Sequence, residues 1–219
     1  SWASPCRCCE AIAAGAEKCR SSAGLSGFRT PGVGGAWYWN RYPGARCDIE
    51  SLVYCYSFSP IIDDEWSWTE RYATQPEIVR YINFVCDRLD LRKDICFNSR
   101  LVKATFDEEA GFWTFYTENG DVYRARHFVS SAGPISEPIW PDIPGREKFK
   151  GEIYHTAKWP QQEPDFRGKR VGVIGTGSSG TQLIPLVAEQ AKHLTVFVRT
   201  PNFYANANNR PLTDSDQAW

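Results

Sequence analysis

The chain has 219 residues, with 25 Lys and Arg against 26 Asp and Glu, a formal net charge of −1 at pH 7. That balance argues against nucleic acid or an anionic membrane as the main partner, and no apolar run in the sequence approaches the roughly 20 residues needed to span a bilayer. The length suits one or two domains. No signal-peptide pattern opens the sequence, and Met is absent even from position 1, as an excised initiator or an internal fragment would each explain.

Residues 1–30 show no hydrophobic period and are rich in Ala, Ser, Arg, Gly and Cys. The eight Cys (Cys6, Cys8, Cys9, Cys19, Cys47, Cys55, Cys86, Cys96) are even in number. A nucleotide-binding α/β chain is nonetheless expected in the cytoplasm, where thiols stay reduced. The Cys6–Cys9 cluster lacks a second pair at finger spacing, so no metal is expected. From Pro31 the character changes to a glycine- and aromatic-rich loop ending at Asp48.

Thr74-Gln-Pro-Glu77 reads as a capping box with Pro in the first turn. It opens a helix whose apolar face holds Ile78, Ile82, Val85, Cys86 and Leu89. Leu101–Phe106 and Phe112–Tyr116 read as strands, with a hairpin turn at Glu118-Asn-Gly120. His127–Gly133 reads as a strand returning to a central sheet, and the four prolines of Pro134–Gly145 as an extended connector.

Residues 170–200 read as strand, glycine turn, helix, strand. Gly175, Gly177 and Gly180 stand at the three places of G-x-G-x-x-G, which serve a tight turn, backbone approach to a pyrophosphate, and close helix–strand packing. Thr176, Ser178 and Ser179 complete the turn, whose helix would present its N-terminal amides to phosphate. Pro185 should bend that helix, and His193 is expected as a cap near its C-terminus. Arg199 and Thr200 close the second strand, where an NAD site wants an acid. A guanidinium there suits a 2′-phosphate, so NADP is favoured over NAD.

Two motifs carry a family resemblance. Phe149-Lys-Gly151-Glu-Ile-Tyr-His155-Thr-Ala-Lys-Trp159-Pro160 matches F-x-G-x-x-x-H-x-x-x-W-P, which resembles the fingerprint of the Baeyer–Villiger monooxygenases, class B flavin monooxygenases. The Gly34–Asp48 loop resembles the same family's Gly-Gly-x-Trp-Tyr-Trp-Asn-Arg-Tyr-Pro-Gly-Ala-Arg-Cys-Asp stretch, in the phenylacetone monooxygenase-like branch. The resemblance runs over about residues 32–212. It implies an α/β fold of two Rossmann-like dinucleotide-binding domains, both incomplete, with a β-meander in the FAD domain. Residues 1–30 carry no family motif, 31–141 would be a partial FAD-binding domain, 142–167 a linker with the fingerprint, and 168–219 the first half of an NADP-binding domain.

By the same resemblance FAD and NADPH are the cofactors, and a small-molecule ketone and O₂ the partners, with no specific protein partner indicated. Ala36, Trp37, Tyr38 and Trp39 would wrap the FAD, with Tyr54 and Leu101 among the cofactor-binding residues. Arg46, Cys47 and Asp48 would lie near the nicotinamide. Thr176–Gly180, Gln182, Arg199 and Thr200 would hold the NADP phosphates and ribose. Asp48 and His155 become the candidate catalytic residues. Asp48 would hold an Arg beside the flavin through a charge-assisted bond, and His155, with Trp159, would belong to a linker that moves as the cofactor domains rearrange. The implied reaction inserts oxygen into a ketone to give an ester or lactone. The hard chemistry is the cofactor's, and the protein positions and excludes water.

The sequence also departs from the pattern. It holds a single G-x-G-x-x-G, so the FAD turn expected about 30 residues before Gly32 is missing. Residues 1–30 are therefore expected to be a misread or frame-shifted stretch, and Pro134 stands where a small polar run is usual. A fragment of this kind is expected to be inactive alone and weakly stable, because an exposed sheet edge invites aggregation. The rival readings are a class B enzyme that oxygenates nitrogen or sulfur, against which Trp159-Pro160 argues, and a non-catalytic nucleotide-binding remnant.

Overall fold

The computed structural model describes residues 26–27, 31–133 and 138–217. The expectations for Cys6–Cys9 and Pro134, and nearly all of those for residues 1–30, lie outside the described residues. The chain divides into two units, a meander unit of residues up to 35 and 86–134, and a mixed α/β unit of residues 36–85 and 135 onward.

In the meander unit, β1 (Ser26–Gly27) pairs in parallel with β2 (Ile95–Cys96). The strands β3 (Leu101–Asp107), β4 (Phe112–Thr117) and β5 (Val122–Ala125) form an antiparallel sheet in the order β3-β4-β5. The predicted hairpin turn forms where Gly120 takes φ +86°, and the Gly120 amide donates to the Thr117 carbonyl at 3.0 Å. That left-handed backbone favours glycine. Trp113, Phe115 and Phe128 gather with ring centroids 5.1 to 6.4 Å apart. Tyr123 lies buried with its hydroxyl 3.7 Å from Cys96 Sγ, and burial pushes the phenol up to about 12.

His127–Gly133 is not a strand, contrary to expectation. Val129 is 83% exposed, and Phe128 packs edge-on to Trp113 and Phe115. A strand needs a partner edge, and the parallel pair described in this unit is only two residues long.

The mixed α/β unit begins with α1 (Ala36–Trp39) and α2 (Pro60–Glu65). The predicted helix α3 (Gln75–Arg88) follows, and the units divide within it after Val85. Its Glu77 does not close a capping box. The carboxylate is 1% exposed and accepts from the Thr69 backbone N–H and hydroxyl, each at 2.8 Å. Two donors fixed by a neighbouring segment satisfy it better than the single N-cap amide of a local box. Trp66, Trp68, Tyr81 and Phe84 pack together with centroids 4.7 to 5.5 Å apart.

The strands β6 (Arg170–Ile174) and β7 (His193–Phe197) pair in parallel, Val171 opposite Leu194, with α4 (Ser178–Gln190) connecting them. The helix continues through Pro185 and ends two residues before the expected Lys192, so His193 opens β7 rather than capping the helix. It stands opposite Arg170, and Leu194 and Val196 are the half-buried positions of its strand. Tyr42, Ala45, Trp159, Phe166, Leu183 and Val187 form the core under α4, each large apolar side chain contributing about 1.5–3 kcal/mol. Beyond β7 the chain returns along residues 69–72, where the Arg71 amide donates to Arg210 and that of Leu212 to Thr69, and the last described residues form α5 (Asp214–Gln217). Among the described residues no helix is long and apolar enough to cross a membrane.

Candidate functional site

The glycine turn between β6 and α4 has the form its spacing predicts. Gly175 takes φ +97°, and its amide donates to the Phe197 carbonyl at 2.9 Å, tying the turn to the end of β7. A β-carbon at Gly180 would lie 2.5 Å from the Gly175 carbonyl oxygen, so only glycine lets the first turn of α4 sit this close. Gly177 is the N-cap, and a β-carbon there would meet nothing within 4 Å. The first helical bond of α4 is from Thr181 N–H to the Gly177 carbonyl at 2.9 Å. The amides of Ser178, Ser179 and Gly180 therefore have no partner within the helix, and the helix dipole adds partial positive charge there. Gly175 serves the turn, Gly180 the packing and Gly177 an open backbone, a division of labour that fits a bound dinucleotide phosphate.

Arg199 and Thr200 lie two and three residues past the end of β7, both exposed. Asn202, which sequence reading missed, donates from Nδ2 to the Thr176 carbonyl at 2.8 Å and ties this segment to the glycine turn. Its only signal in the sequence is a lone Asn after Pro201.

The aromatic loop is held by polar contacts. The Trp37 indole N–H donates to the Tyr54 hydroxyl at 2.9 Å, and Gln75 Nε2 to the Trp37 carbonyl at 2.5 Å. Tyr38 and Trp39 meet edge-on at 5.3 Å, and Ala36 opens the short helix that carries them. Arg41 donates to the Tyr38 carbonyl and to Gln161 Oε1, the latter at 2.6 Å. Tyr42 is buried, which pushes its phenol up, Ser179 opposing and Asp48 adding to the rise. Arg46 Nη1 lies 3.3 Å from Glu70 Oε2, and Glu70 also accepts from Asn209 Nδ2. Cys47 is buried, which raises its thiol, while its sulfur accepts from the Ile49 amide at 3.4 Å. Asp48 is exposed and is followed by turns rather than by a helix it could cap.

The fingerprint segment is a scaffold. The Phe149 ring folds over Gly151, where a β-carbon would lie 2.6 Å from it. His155 caps a short turn (Thr156–Lys158), its Nδ1 accepting from the Ala157 amide at 3.1 Å, and its ring meets Trp140 edge-on at 5.0 Å. Trp159 is buried in the core under α4, its indole N–H without a hydrogen-bond partner among the described residues, and Pro160 follows it half-buried.

The structure thus gathers Tyr42 to Cys47, Gln182 and Trp159 around α4. His155 is engaged with Trp140 and Ala157 instead, and Leu101 opens β3 in the meander unit. Gln182 is not turned outward: its amide pairs with Tyr42 and Arg46.

Comparison with known proteins gives the site its context. Phenazine N-monooxygenase PhzNO1 of Lysobacter antibioticus is 46% identical, over 85% of this chain and 34% of that protein. Acetone monooxygenase (methyl acetate-forming) of Gordonia sp. (strain TY-5) is 43% identical, over 87% and 36%. Among solved structures, oxidized steroid monooxygenase bound to NADP superposes with a TM-score of 0.82 at 54% identity, over 87% of this chain and 36% of that one. The chain spans about a third of the length of the relatives it matches. The sequence model of the flavin-binding monooxygenase-like family matches residues 47–206, and with that match the chain belongs to this family.

Proposed function

We propose that this chain is the NADP-proximal part of an FAD- and NADPH-dependent monooxygenase that inserts oxygen into a small-molecule ketone, a Baeyer–Villiger oxidation to ester or lactone. The observation that carries the reading is the β6–α4–β7 turn. Gly177 leaves the backbone open to a phosphate, and Arg199 offers a cation just beyond β7. The NADP-bound steroid monooxygenase and the acetone-oxidising relative support the cofactor and the substrate class.

When bound, FAD and NADPH supply the redox chemistry of oxygen insertion. The amides of Ser178, Ser179 and Gly180, with Thr176 and Thr200, hold phosphate and ribose, and Arg199 selects the 2′-phosphate. For the flavin, the described residues offer the aromatic loop of Ala36–Trp39 with Tyr54 but no phosphate cradle, so no step is assigned to this chain there. Trp37 and Trp39 of that loop would wrap a bound flavin and help to exclude water from it. Arg46 and Asp48 place opposite charges on one loop, Arg46 fixed by Glu70. Residues 31–141 then serve FAD, 142–167 link, and 168–219 serve NADP.

A second reading, oxygenation of a ring nitrogen, is favoured by the phenazine N-monooxygenase relative. The test is titration of the purified chain with NADP⁺ and NAD⁺, then ketone-dependent NADPH consumption by the full-length protein with the product analysed. A preference for NADP⁺ and an ester product support the proposal. No preference overturns the cofactor reading, and an N-oxide in place of an ester overturns the substrate reading.

A further inference from the structure

Gln182 lies in α4, five residues past the N-cap Gly177, or about 7.5 Å along the axis at 1.5 Å per residue. Its side chain makes three bonds to one loop. Oε1 accepts from the Tyr42 hydroxyl at 2.9 Å and from the Arg46 amide at 3.3 Å, and Nε2 donates to the Arg46 carbonyl at 3.0 Å. Three of the amide's four hydrogen-bonding positions are thereby used within the chain. The backbone of the same residue is in contact as well. Gly44 takes φ +80°, and a β-carbon there would lie 2.4 Å from the Gln182 carbonyl oxygen. Below, Tyr42 and Ala45 share a core with Leu183 and Val187 of α4. The loop that ends in Arg46, Cys47 and Asp48 is thus seated on the second turn of the helix whose first turn faces the nucleotide.

We propose that Gln182 is a positioning residue, a clamp that couples the phosphate-facing end of α4 to the Tyr42–Cys47 loop and so sets Arg46 and Asp48, rather than a ligand of the nucleotide itself. The coupling rests on the nucleotide reading above. The clamp rests only on the geometry. The chemistry suits the role: an amide presents one acceptor and one donor side by side, the complement of the N–H and C=O of a single residue. Gln182 thus pairs with Arg46 as a strand neighbour would, while the two partners stand 136 residues apart in sequence.

Amide hydrogen exchange of the purified 219-residue chain tests this, with NADP⁺ as the probe. Gln182→Leu is expected to speed exchange of the Arg46 amide by about tenfold, while Leu183–Gln190 stay as protected as before. Gln182→Glu keeps the acceptor and should restore slow exchange at Arg46, a rescue that mere loss of helix stability would not give. NADP⁺ should slow exchange at residues 44–47 in the wild type and leave it unchanged in Gln182→Leu. Should Gln182→Leu not fold, Gln182→Met, of similar length and helix propensity, is read the same way. Unchanged Arg46 exchange in the variant, or a loss of NADP⁺ affinity with the loop undisturbed, overturns the proposal. Failure of the wild type to bind NADP⁺ counts against the nucleotide reading, and the ligand-free comparison alone then decides the clamp.

Discussion

Gly180 stands directly over the carbonyl of Gly175, so that a β-carbon at Gly180 would come within 2.5 Å of that oxygen. The obstacle is backbone, which cannot swing aside as a side chain would. Gly180→Ala is therefore expected to push α4 off the turn. The cost is about 1–3 kcal/mol of stability, the usual range for overpacking, together with weaker NADP⁺ binding. Thermal melts and NADP⁺ titration check both.

Gly177→Ala should separate the two effects. Its φ of −71° suits any residue, and nothing lies within 4 Å of the added carbon. Alanine gains about 0.4–1 kcal/mol by restricting the unfolded chain but is a poorer N-cap than glycine. The melting temperature should hardly move, while NADP⁺ affinity falls about tenfold or more, about 1.4 kcal/mol, because the methyl group occupies the phosphate's approach. Unchanged affinity would remove Gly177 from the site.

Arg199 is exposed just past β7. Arg199→Ala should leave stability intact and abolish the preference for NADP⁺ over NAD⁺. The expected loss is about 1.5–3 kcal/mol of charge-assisted bonding, and the wild-type preference should shrink as salt rises. Parallel titrations with the two coenzymes at low and high salt measure it.

The Glu77 carboxylate satisfies two donors of Thr69 in a buried setting. Glu77→Ala leaves the Thr69 amide unpaired and should cost about 1–3 kcal/mol. Glu77→Gln keeps one acceptor oxygen and should cost less. Urea midpoints of the two variants give the order, and equal midpoints would refute the account.

Tyr81 is buried against Tyr56, Trp66 and Trp68, its hydroxyl accepts from the Tyr56 amide at 2.7 Å, and burial pushes its phenol up to about 12. Its unfolded value is about 10. Raised in the fold, it contributes stability that is full below about pH 10 and is lost as pH climbs from about 10 to about 12. Tyr81→Phe should be less stable at neutral pH, leaving the Tyr56 amide unpaired, and should lose less stability across that alkaline window. Denaturation at stepped pH gives both results.

The local pattern of the chain was legible where a backbone rule left no choice. The spacing of Gly175, Gly177 and Gly180 foretold a turn, an open cap and a close approach, and each appears at its own glycine. The hairpin at Gly120 and the helix after Thr74 were read from the same kind of signal. Reading failed where the partner is remote. His127–Gly133 has the composition of a strand but no described edge to pair with, and Glu77 has capping-box spacing yet is claimed by Thr69.

The sequence by itself determined the nucleotide turn, the meander and the family, because short-range sterics and two ordered motifs are written in consecutive residues. Only the tertiary structure decided that Gln182 faces Tyr42 and Arg46, that Glu70 holds Arg46, and that Trp159 lies in the core beneath α4. Those pairings join residues far apart in the chain, and a hydrogen bond or buried contact is chosen by which surfaces folding brings together. No spacing rule along one strand of sequence carries that information.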